Sequence, residues 1–215
     1  MARRIENKQY NRTQKGDPMG FLTDRQDTII RYRHHKYQVN PAYDIVLRMQ
    51  QMYEDERLGD LDKLNTALAM LVVRPKKICL SIDGKIGLLQ AITNHCIKTP
   101  DRPIVGKQQK LFDFDHDGEY IYSSFLMDYG LDLMAMQGRL SWKKFIALFQ
   151  GLSDKTKIKE VMRIRGMEIP APTKSNKKEI QNILELKAYY ALPAKGQNGQ
   201  GGLDALFAML ERAAR

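Results

Sequence analysis

Apolar residues recur every three or four positions through most of this chain, and that period admits helices and little else. Between Asp60 or Asp62 and Pro75, Leu61, Leu64, Leu68, Leu71 and Val72 form one stripe, the spacing of a helix with a single inward face. Ile45, Met49, Met52 and Tyr53 repeat the pattern after Asn40 and Pro41, which read as N-cap and first helical residue, and Gly59 closes that helix. The two helices are expected to pair antiparallel. Ser81, Asp83 and Gly84 open a third helix running to His95, with Ile86, Leu89 and Ile92 inward. One segment departs from the period: DTIIRYRHHKYQVN has β-rich stretches around Arg33 to Lys36, which predicts a hairpin over residues 28–39.

Residues 98–112, with two prolines, a glycine and a polar run, interrupt the helices. Beyond them a helix follows the Asp113 cluster through Met127 and carries Ile121, Phe125 and Leu126. It stops at Tyr129-Gly130, where glycine takes positive φ. Ser141 caps a helix lined by Trp142, Phe145, Ile146 and Phe149; Asp154 caps KTKIKEVMRIR; and KKEIQNILELKAYYAL turns about Ile180, Ile183, Leu184 and Leu186 or Lys187. Leu203, Leu206, Phe207 and Leu210 have the spacing of a docking face. The expected organisation is a flexible polar arm (1–26), a hairpin-plus-helix subdomain (27–98), a linker loop (99–112), a helical subdomain (113–193), a flexible linker (194–202) and an amphipathic C-terminal helix (203–215). The fold class is mainly α, a multi-helix bundle with a short N-terminal β-hairpin.

Two cysteines cannot staple a secreted scaffold. The longest apolar run, Leu68 to Val73, falls far short of the ~20 residues that cross a bilayer, and Met1 to Lys8 lacks a hydrophobic signal core. The expectation is a soluble, unexported protein. Its net charge of +10 divides into +5 over residues 1–36, −1 over 37–154, +5 over 155–187 and +1 over 188–215. Two separated basic regions point to solubility and partner steering rather than a single nucleic-acid patch. The best case for nucleic acid is Lys155, Lys157, Lys159, Arg163 and Arg165 on the second of two helices around a tight turn. Ile158, Val161, Met162 and Ile164 between them equally fit a solvated helix packed on one side.

The sharpest local motif is DFDHDGEYIYSS, which sets Asp113, Asp115, Asp117 and Gly118 at positions 1, 3, 5 and 6 of a calcium loop. Ser124 stands where the bidentate glutamate belongs, and the proline-containing segment before the motif makes a poor entering helix. The preferred reading is capping: Asp113 or Asp115 as cap, with Asp117 and Glu119 in the first turn against the helix dipole. His34, His35, His95 and His116 are scattered, and Cys79 and Cys96 lack paired spacing. With no hydrolase, P-loop or dinucleotide fingerprint, no catalytic residue, metal or cofactor is assigned. The eleven methionines include Met49, Met52, Met134, Met136 and Met162 at or near apolar stripes. Core filling is preferred for them over an adaptable docking surface.

The segment from Phe112 to Ile169, followed by KKEIQNILELKAYYALP, resembles the bacteriophage gp-fifteen family. The motifs that carry the resemblance are an acidic D-F-x-x-D opening (Asp113 to Asp117), Ile121-Tyr122 with Phe125, and Tyr129-Gly130-x-Asp132-Leu133. They continue with Trp142-x-x-Phe145 and the Lys-x-x-Tyr-Ala-Leu-Pro close ending at Leu192-Pro193. The stretch from Lys36 to Leu71 is similar to the family's amino-terminal half, so the resemblance spans roughly residues 28–193. It implies a protein encoded in siphophage and prophage tail modules, a tail assembly chaperone in the host cytoplasm. Its partner would be the tape-measure protein, with the tail-tube protein as a second candidate, and it would have no membrane partner. On that reading Leu203, Leu206, Phe207 and Leu210 are the preferred contact element, and the Asp113 cluster, Tyr129 and Trp142 are fold determinants. A nucleic-acid-binding accessory protein and a structural virion component are the alternatives.

Overall fold

A computed structural model describes residues 21–22, 28–98 and 110–193 of the 215-residue chain. Most of the expected N-terminal arm, most of the loop, and the linker and terminal helix with Leu203, Leu206, Phe207 and Leu210 lie outside the described residues. The described architecture is mainly α, seven helices with one two-stranded antiparallel hairpin at the N-terminal end. No described helix is long and apolar enough to cross a membrane.

Strands β1 (Ile29–Tyr32) and β2 (His35–Gln38) pair in the register Ile29 with Gln38, Ile30 with Tyr37, Arg31 with Lys36 and Tyr32 with His35. Alternation sorts the faces: Ile30 and Tyr37 are buried, whereas Ile29, Arg31 and Lys36 are exposed. The two-residue turn holds Arg33 at φ 52°, the left-handed region that a side chain disfavours. The hairpin rests on α3 (Ile82–Ile92), where a Cβ added to Gly87 would collide with the Tyr32 hydroxyl oxygen. Only glycine allows that approach.

Helix α1 (Tyr43–Glu54) begins later than expected. Ala42, not Asn40, is its N-cap residue. Asn40 instead joins segments: its amide N–H donates to the Leu71 carbonyl and its side chain to that of Gly138. Helix α2 (Asp60–Leu71) buries Leu64, Leu68 and Leu71 but leaves Leu61, its second residue, half exposed. Ser81 caps α3 by accepting from the Gly84 N–H, as its position predicts. The α-helical bonding of α3 ends at Ile92 and gives way to a π turn over Thr93–Ile97, short of the uninterrupted helix expected to His95.

In the second half, α4 (Gly118–Tyr129) ends on Gly130 at φ 60°, and the Leu131 N–H reaches back to the Phe125 carbonyl. That is the left-handed C-cap expected there. Helix α5 (Trp142–Gln150) starts after Ser141, and α6 (Lys157–Gly166) starts after Thr156, not after Asp154. Thr156, not Asp154, is the N-cap residue; it is fully buried and its hydroxyl donates to the Ser153 carbonyl. Helix α7 (Lys177–Tyr189) completes the described chain.

The core is continuous across the interval between residues 98 and 110. Val46, Met49, Leu68, Leu88 and Ile92 from the first half join Phe114, Phe125, Trp142, Phe145 and Ile158 from the second. One short antiparallel bridge, Ala42 with Ser141, binds the halves further through two backbone bonds. The Tyr43 N–H donates to the Leu140 carbonyl, and the Trp142 N–H to that of Pro41. At the centre Phe145 stacks on Tyr43 at 4.8 Å and on Phe125 at 5.3 Å, with Trp142 and Phe114 beside it.

Candidate functional site

Of the carboxylates in the acidic motif, Asp113 and Asp117 are buried, and Asp115 and Glu119 are exposed. Asp113 accepts at Oδ1 from the backbone N–H groups of Asp115 and His116, each at 2.9 Å, and at Oδ2 from Lys110 Nζ at 2.7 Å. Burial alone would raise its carboxyl pKa. The Lys110 ammonium and the two N–H donors outweigh burial and hold it below the ordinary carboxylate range. Asp113 thus caps the turn over residues 114–117 that leads into α4, while Asp115 accepts from the Gln51 side chain of α1 at 2.7 Å.

Asp117 has a different task from the first-turn dipole charge expected of it. It occupies the N-cap position of α4, yet its carboxylate turns inward, fully buried, and accepts from the Asp113 N–H. It also pairs with Arg165 of α6 through Nη1 to Oδ2 at 2.6 Å and Nη2 to Oδ1 at 2.7 Å. A guanidinium meeting a carboxylate through two parallel bonds is the strongest planar pairing the side chains offer. The remaining donors of Arg165 are also directed: Nη1 to the Leu111 carbonyl at 2.9 Å and Nε to the Tyr190 carbonyl at 2.6 Å.

Tyr190 belongs to the closing motif, so the two ends of the motif series meet at one guanidinium. Lys187 of the same motif donates to the Arg165 and Ile164 carbonyls, at 2.5 Å and 3.4 Å. These lie in the last turn of α6, where a cation offsets unpaired carbonyls. Lys157 donates to the Tyr190 hydroxyl at 2.9 Å and to Glu160 at 3.0 Å, and Tyr120 of α4 meets the Tyr190 ring edge-on at 6.1 Å. Leu192 and Pro193 are half-buried just beyond.

The other motif residues separate into core and turn. Ile121, Phe125, Leu133, Trp142 and Phe145 are buried, and Tyr122 is half-buried. Tyr129 donates its hydroxyl to the Leu148 carbonyl at 3.0 Å, which anchors the Gly130 turn to α5. Asp132 accepts from the N–H groups of Met134 and Ala135, at 2.9 Å and 3.3 Å. Leu126, expected inward, is 46% exposed. The methionines divide likewise: Met49 and Met52 are buried, Met136 and Met162 half-buried, and Met134 exposed.

Two features of this region matter for partners. Two of the five cations that favour a recognition-helix reading, Lys157 and Arg165, hold internal contacts, and so does Lys187 of α7. Helix α7, whose Ile180, Ile183, Leu184 and Leu186 were expected to pack, has no buried residue, and Leu184, Leu186 and Tyr189 are exposed. Its C-terminal end is fastened to α6 by the Lys187 and Tyr190 bonds.

The family model described as Bacteriophage Gp15 protein matches residues 22–192. No curated protein and no solved structure matches the chain. The matched span begins before the hairpin and ends at the motif residues around Arg165, covering most of the sequence and nearly all of the described fold. The chain belongs to the bacteriophage Gp15 protein family.

Proposed function

We propose that this phage protein acts without catalysis in tail assembly, as a chaperone that binds the tape-measure protein and keeps its long apolar helices soluble until tube subunits surround them. Membership of the family supports the tail context. The observation that carries the binding role is α7, an amphipathic helix whose Leu184, Leu186 and Tyr189 stay exposed while its end is fixed to α6. Leu186 and Tyr189, three positions apart, share one side of the helix, and Leu184 lies toward the other; the exposed pair offers an apolar patch to a second amphipathic helix. The stripe Leu203, Leu206, Phe207 and Leu210, beginning 14 residues after Tyr189, has the spacing of a second apolar face.

Co-expression with the tape-measure protein of the same tail module tests the reading. The expected result is that the tape-measure protein becomes soluble and co-purifies. Deleting residues 196–215, or changing Leu184 and Leu186 to Asp, should then weaken recovery. A tape-measure protein that stays insoluble, or recovery unaffected by both changes, would overturn the proposal.

A further inference from the structure

We propose that the outer face of the β1–β2 hairpin is a docking site for a carboxylate-rich segment of a partner protein. Between Thr28 and Val39 the chain has Arg31, Arg33, His34, His35 and Lys36 and no acidic residue. All five are exposed. The register places Arg31 directly across from Lys36, a like-charge cross-strand pair that works against the hairpin. Beside it the turn holds Arg33 in left-handed backbone, where glycine or asparagine would fit with less strain. Two local costs thus coincide in six residues, and among the described residues no acidic side chain forms an ion pair with Arg31, Arg33 or Lys36. Arg33 lies over the Tyr32 ring at 5.6 Å, which leaves Arg31 and Lys36 as the uncommitted cations.

The opposite face is anchored. Ile30 and Tyr37 are buried in the core, Tyr32 lies against Gly87, and the Val73 N–H donates to the Gln38 carbonyl, tying the base of the hairpin to the chain that follows α2. The cations therefore project from a fixed platform, so little ordering is needed when an anion binds. A protein fits better than a nucleic acid. Four-residue strands span about 13 Å, and the +5 region gives way to a body of −1 over residues 37–154. Affinity for a phosphate backbone rests on neutralising many phosphates together, and this ribbon offers only Arg31 and Lys36 uncommitted. Ile29, 52% exposed on the same face as Arg31, adds an apolar contact that suits a polypeptide.

The test uses the full chain with a short fluorescein-labelled poly-glutamate peptide, and duplex and single-stranded DNA oligonucleotides as competitors. Arg31→Glu with Lys36→Glu should weaken peptide binding about tenfold or more. Lys174→Glu with Lys178→Glu, an equal change in net charge on exposed positions elsewhere, should leave it near wild type. Arg31→Gln with Lys36→Gln gives an intermediate loss and guards against misfolding, checked by circular dichroism. No peptide binding by the wild type, equal weakening by both charge reversals, or DNA that binds more tightly than the peptide through Arg31 and Lys36 would overturn the proposal.

Discussion

Asp117 and Arg165 are 48 positions apart and form one planar, two-bond pair with side chains 0% and 5% exposed. The pair connects the start of α4 to α6, and through the other donors of Arg165 it gathers Leu111 and Tyr190. Buried ions in such a geometry confer little net stability over an apolar substitute, but losing one partner leaves the other stranded without water.

Arg165→Ala should therefore destabilise the fold by about 3–5 kcal/mol, with Asp117→Asn in the same direction. Asp117→Leu combined with Arg165→Met should cost clearly less than the sum of the two single changes. Urea unfolding of the four proteins checks this, and additive losses would contradict it.

Asp113 makes part of the stability acid-sensitive. Its folded carboxyl lies below its ordinary value, so its contribution is present above the unfolded pKa of about 4 and fades as the pH falls through the folded value. Melting temperature followed from pH 7 downward should drop less steeply in Asp113→Asn than in wild type, from a lower start. Identical acid limbs would show that the Lys110 and N–H contacts do not hold in solution.

Phe145→Ala removes the ring on which Tyr43 and Phe125 both stack. A loss of about 3–5 kcal/mol is expected, and because that ring lies where the two halves of the core meet, the loss should appear in one cooperative transition monitored at Trp142.

Gly87→Ala forces a methyl group against the Tyr32 hydroxyl and ring. Overpacking of about 1–3 kcal/mol should result, and adding Tyr32→Val should restore part of it. A lack of rescue would mean that the hairpin does not depend on this approach.

Periodicity carried most of the fold. Leu64, Leu68 and Leu71, the Ser81 cap and the Gly130 stop are local signals, and each appears where its spacing places it. The motifs likewise sufficed for the family. What spacing could not convey was competition between local roles and distant partners. Asp117 has the sequence of a first-turn acid but answers to Arg165. Asn40 has the chemistry of a cap but bonds across to Leu71 and Gly138. A signal for Arg165 did exist: it falls four residues after Val161 and seven after Ile158, both buried, so it shares the inward face of α6. A charge at an inward position demands a buried counter-charge, and the acidic motif held one.

Helix α7 has no side chain in the core and is fastened chiefly at its C-terminal end. Its amide hydrogens can therefore exchange with solvent through local opening that leaves the rest of the molecule intact. In deuterium labelling, protection should fall off toward Lys177 and stay high in α5. Docking of another helix on α7 would register as slowed exchange there, a direct readout of binding that needs no knowledge of which residues the partner contributes.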